Sequence, residues 1–185
     1  MELAPSGTSP VRYLGLIAEA HDAASRASSR VSRLVADVQS TPLADLGQAR
    51  LVGAVGQADE SMQLIAAAER YRLHADIASV PRGAVRYALQ AIEDLESGSR
   101  ALRRATALIA DPEIDQDPSA RDATIRSIAL ADSHYRMAEW LLQQAPTATD
   151  GSPLPDIQQP AGMGYHQNYV GGRSLPQAID HQYAH

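Results

Sequence analysis

Proline placement constrains this chain more than any other feature. Pro10, Pro42, Pro81, Pro112–Pro118 and Pro146 bound four long stretches that contain no internal proline. Proline is tolerated in the first turn of a helix and breaks a helix interior, so these stretches are the places where long helices fit. Ser9-Pro10, Thr41-Pro42 and Asp117-Pro118 each put a capping side chain directly before proline. That pairing suits a helix start, because the side-chain oxygen accepts an orphan N–H and the proline has none to lose.

Each stretch carries a mostly apolar stripe at alternating spacings of three and four. The first offers Leu14, Ile17, His21, Ala24, Ser28, Val31, Val35 and Val38. The second offers Leu51, Val55, Ala58, Met62 and Ile65, then drifts through Glu69 to Leu73 and Ile77. The third runs Val85, Ala88, Ile92, Leu95, Ser99, Leu102, Thr106 and Ile109, and the fourth Ile128, Ala131, Tyr135, Ala138, Leu142 and Ala145. A three-four alternation keeps one stripe against a partner helix at a shallow crossing angle. Composition agrees: alanine is abundant, Phe is absent and Trp140 is the single tryptophan, which favours closely packed helices over a sheet sandwich.

Short links between long helices force neighbours to run antiparallel. The fold class expected is therefore all-α, an up-down-up-down four-helix bundle over residues 10–145, with a flexible N-terminus over 1–9. From Pro146 to His185 the chain turns to Pro, Gly, Gln, Tyr and His without a sustained period. Such a segment buries too little apolar surface to offset its ordering entropy, so 146–185 reads as a disordered tail. Its spaced apolar and aromatic residues Tyr165, Tyr169, Leu175, Ile179 and Tyr183 are the candidate partner-binding positions.

Charge and chemistry exclude several classes. The 185-residue chain has a formal net charge of -6 and no cysteine. Negative charge opposes non-specific nucleic-acid binding, and Arg103-Arg104 is too small a basic patch to reverse it. Without Cys there are no disulfides and no thiol chemistry. The opening MELAPSGTSP lacks a basic region followed by an apolar run, and no window approaches a membrane span. A cytoplasmic protein with no membrane and no nucleic-acid partner is the expectation.

The loop DPEIDQDPSARD looks most like chemistry. Oxygen-bearing Asp111, Glu113, Asp115, Asp117, Ser119 and Asp122 fall at positions 1, 3, 5, 7, 9 and 12 of a calcium-loop ladder. Gln116 stands where a sharp turn wants Gly, Asp122 is a methylene short of the usual Glu, and Pro118 starts a helix too early. The acids read instead as helix punctuation. Glu-x-x-His pairs, the di-iron signature of bundles, are absent, and neither a metal site nor a cofactor is expected.

Polar residues on the core stripes need partners, and a His21–Glu69 contact between the first two helices is one way to supply them. Ala49, Gly53 and Gly56 share a face, which suggests a close helix approach. Leu130, Met137 and Leu141 form a second apolar row on the fourth helix, a basis for self-association as a homo-oligomer. Tyr135-Arg-Met-Ala-Glu139 has the Tyr-x-x-x-Glu form of helical substrates of type VII secretion. The Trp-x-Gly of that family's turn is missing, and no family follows from five residues.

The functional reading is a non-enzymatic interaction or adaptor module that docks an unknown protein partner through a bundle face or the tail. The alternative is a helical-bundle nuclease or hydrolase using His21, His74 or His134 with nearby Arg or carboxylate groups. The Arg70–His74 pair is the local form of that alternative.

Overall fold

A computed structural model describes residues 10–74 and 80–152. Four helices account for most of them: α1 (Pro10–Asp37), α2 (Gln48–His74), α3 (Arg82–Ile109) and α4 (Pro118–Gln144). Short 3-10 turns at Leu43–Asp45 and Ala145–Thr147 complete the regular structure, and the described residues contain no strand. Each helix packs on its neighbour in sequence, and α4 closes the ring against α1. Contacts run antiparallel, as where Tyr13 near the start of α1 meets Glu69 near the end of α2. The architecture is the up-down-up-down four-helix bundle. No helix among the described residues is long and apolar enough to cross a membrane.

Helix ends follow local chemistry, with one correction. Asp117 caps α4 as expected, its Oδ1 accepting the N–H groups of Ser119 and Ala120, with Pro118 in the first turn. Thr41-Pro42 does not start α2. It opens the Leu43–Asp45 turn, and α2 begins only after Gly47, whose φ of 71° is a left-handed conformation that glycine adopts without penalty. A proline near a capping residue marks any turn that needs a fixed φ, not an α-helix alone.

The stripe of α1 is also rotated from the expected one. Buried residues run Tyr13, Ile17, Ala20, Ala24, Ala27, Ser28, Val31, Leu34 and Val38, while Leu14, His21 and Val35 are only half-buried. Both registers share Ile17, Ala24, Ser28, Val31 and Val38. The observed one buries the phenol body of Tyr13 and leaves the polar His21 ring at the rim. In α2 the seam passes through buried Ser61, whose hydroxyl donates to the Ala20 carbonyl at 2.7 Å, and Leu73 is exposed. All six expected positions of α4 are buried. Of the second row, Met137 and Leu141 are buried in the same core and Leu130 is half-buried against it.

Ordered packing continues past Gln144. Residues 146–152, expected to belong to the tail, are instead placed against the start of α3, and Ala148 is buried. Residues 153–185, with Tyr165, Tyr169, Leu175, Ile179 and Tyr183, lie outside the described residues, as does Ile77.

Candidate functional site

Two arrangements carry most of the polar chemistry: a closed cluster between α3 and α4, and an open groove between α1 and α2.

The closed cluster comes from residues one step off the core stripes. Asp94 precedes Leu95 on α3, and His134 precedes Tyr135 on α4. The helices approach closely enough that the His134 Nδ1–H donates to Asp94 Oδ1 at 2.8 Å, with both side chains at most 1% exposed. His134 Nε2 is buried and has no hydrogen-bond partner among the described residues. One turn along, the hydroxyls of Ser99 and Tyr135 share a hydrogen bond of 2.9 Å. The space for the Tyr135 ring comes from Gly98, where a Cβ would lie 2.5 Å from ring carbons Cδ1 and Cε1. A carboxylate holding one imidazole nitrogen orients the ring and its tautomer. A reacting group would have to reach Nε2, and that atom is enclosed by the bundle.

A second polar knot ties α1 to α2. The Tyr13 hydroxyl donates to Glu69 Oε1 at 2.8 Å, and Arg72 donates two hydrogen bonds to Glu69 Oε2 at 3.0 and 2.8 Å. The expected His21–Glu69 contact is therefore not formed. Glu69 is taken by Tyr13 and Arg72, and the half-buried His21 lies 3.5 Å from Asp22. His74 is exposed at the end of α2.

Burial and these partners shift two phenols. Tyr135 is pushed up to about 12, chiefly by burial, with the Ser99 hydrogen bond pulling the other way. Tyr13 is driven well above the ordinary phenol range by burial, then by the hydrogen bond and charge of Glu69. A phenol whose folded pKa lies above its unfolded value near 10 loses its stabilising contribution as pH rises through the folded value. The sign predicts alkaline destabilisation that begins near pH 10 and runs to about 12 and beyond. Tyrosinate absorbance should show late-titrating phenols, of which Tyr13→Phe and Tyr135→Phe each remove one. An unchanged late phase in either variant would contradict the burial of that phenol.

The acidic loop is resolved residue by residue. Asp111 Oδ1 accepts the Glu113 N–H at 2.9 Å, and Asp117 caps α4. Asp115 reaches across the bundle end, where its two oxygens accept the N–H groups of Leu43 and Ala44 at 3.0 and 3.1 Å. Arg121 adds a 2.8 Å ion pair to the same carboxylate. These backbone N–H groups, Ala44 first, hold Asp115 below the ordinary carboxylate range. A depressed carboxylate stabilises the fold above its unfolded value and loses that contribution as pH falls through the folded one. Thermal melts should thus show Asp115→Ala less stable than the parent near neutrality, with the gap closing below about pH 4. A gap that persists at lower pH would place the effect elsewhere. Among the described residues no cluster of three or more metal-ligating side chains forms.

The open groove, about 480 Å³ in volume, lies between α1 and α2. Its walls carry Glu19, Asp22 and Arg26 from α1 and Glu60, Gln63 and Arg70 from α2. Arg26 donates to Glu60 at 3.1 Å and to Gln57, so those two charges offset each other. Glu19 on one wall and Arg70 on the other remain to meet a visitor, while Asp22 beside Glu19 also lies 3.5 Å from His21. Gly53 does not serve a helix approach: a Cβ there would sit 2.9 Å from the Arg30 guanidinium, and Gly56 faces open space.

No family model, curated protein or solved structure matches the chain.

Proposed function

We propose that the protein is a non-enzymatic interaction module whose bundle docks a partner protein along the α1–α2 groove. The observation that carries the reading is the groove itself: an open concavity walled by side chains of both charges on two long helices. A mixed-charge surface of this kind contributes specificity and association rate more than raw affinity. The matching partner is a protein segment with a cationic residue for Glu19 and Asp22 and an anionic one for Arg70. The chain from 153 onward, with Tyr165, Tyr169, Leu175, Ile179 and Tyr183, is a second docking element in this proposal.

Affinity capture from the native host separates the two elements. Three baits are needed: the full chain, a chain ending at Ser152, and full-length protein carrying Glu19→Arg and Asp22→Arg. Ser152 is the proper end point because residues 145–152 pack on the bundle. Loss of partners with the groove variant, while its helical content stays that of the parent, supports groove docking. Equal recovery by all three baits would overturn both elements.

A further inference from the structure

The start of α3 has no side-chain cap of its own. Its N-cap position is Pro81, which offers no side-chain acceptor, although the first turn of a helix leaves four N–H groups without intrahelical partners. The acceptor comes from 68 residues further along the chain, where Asp150 Oδ1 takes the Arg82 N–H at 2.6 Å. A carboxylate there is also favoured by the helix dipole.

Three further contacts seat the same segment. Gly83 lies so close to the Thr149 carbonyl that a Cβ would overlap it, and the Ala148 methyl is next nearest. The Arg86 guanidinium donates to the Ser152 carbonyl. The turn closes on itself as the Ser152 N–H donates to Thr149 O at 3.0 Å and the Thr149 N–H to Ser152 Oγ at 2.7 Å. Its anchoring contacts are mostly polar and lie at the surface, and such segments open at lower free energy than a packed core.

We propose that the Thr149–Ser152 turn is a releasable latch that couples the first turn of α3 to the chain leaving Ser152. Drawing that chain away from the bundle withdraws the Asp150 cap, uncovers Gly83 and Ala148, and frays α3 from Arg82. Fraying α3 in turn frees the chain. The coupling holds whatever docks in the α1–α2 groove, so it stands or falls apart from the docking proposal.

Hydrogen exchange by mass spectrometry on the full-length protein tests the latch. Asp150→Ala removes the cap. Gly83→Ala keeps the cap residue but blocks its seat, and Arg86→Ala removes only the tie to Ser152. The first two should accelerate exchange in 82–86 and 148–152 together, by about fivefold or more as for a lost side-chain cap. Arg86→Ala should do so to a smaller extent, and α1 and α4 should keep parental protection in all three. Unchanged exchange in 82–86 would overturn the latch. So would acceleration spread evenly over all four helices, because the turn would then belong to the global core.

Discussion

Asp94→Ala should cost about 1–3 kcal/mol of folding free energy, the penalty for leaving a buried hydrogen-bonding group without its partner. The substitution leaves the His134 imidazole enclosed with neither ring nitrogen held by the carboxylate that now fixes Nδ1. A small domain has only about 5–15 kcal/mol in total, so the loss consumes a large share of it. Chemical denaturation measures it directly. Replacing both members, Asp94→Leu with His134→Leu, should cost far less than Asp94→Ala, because apolar replacement of a buried pair is often neutral. A loss below about 1 kcal/mol for Asp94→Ala, no more than an ordinary net hydrogen bond, would show that the pair does not hold α3 against α4.

The second large effect reverses sign between two glycines. Gly98→Ala places a methyl 2.5 Å from the Tyr135 ring, which is fully buried and tied to Ser99. Overpacking costs about 1–3 kcal/mol, and a contact this short belongs in the upper part of that range. The substitution also gains about 1 kcal/mol of helix propensity, so a net loss of about 1–2 kcal/mol is expected. Gly56→Ala, also in a helix but facing open space, keeps only the gain and should stabilise by about 0.5–1 kcal/mol. Denaturation midpoints compare the two. Equal signs would mean that α3 and α4 do not approach as closely at Gly98 as described.

The two glycines also show how much of the fold was legible in the sequence. Four helices and their order follow from proline spacing and the three-four alternation, signals that are local and repeat many times along the chain. Which way a helix is rotated about its axis is decided by tertiary contact. On α1 the expected and observed stripes share Ile17, Ala24, Ser28, Val31 and Val38, and the observed one adds Tyr13, which bonds Glu69 on α2. Gly56 and Gly98 are alike as letters, yet one meets solvent and the other an aromatic ring.

Long-range polar pairs were the least legible part. The partner of His134 is Asp94 on α3, 40 residues away, which no spacing within α4 indicates. The available signal was parity: both residues sit one step from a core position, Leu95 and Tyr135, on stretches expected to be adjacent. Asp115 does not punctuate the α3–α4 link: it caps the Leu43–Asp45 turn, which is distant in sequence. Asp150 lay in a stretch whose composition resembles a tail, and its role depends on α3 starting with a proline that cannot cap itself.

The His134–Asp94 pair is sealed from solvent between α3 and α4. Exchange of the histidine C2 proton, followed residue by residue by mass spectrometry in deuterated water, reports on that enclosure directly. His134 should exchange at least about tenfold more slowly than half-buried His21 and exposed His74, since a reaction that needs the core to open is slowed by the opening equilibrium. Exchange at His134 as fast as at His74 would mean that solvent reaches its imidazole. The pair would then have to be reconsidered as a reaction centre.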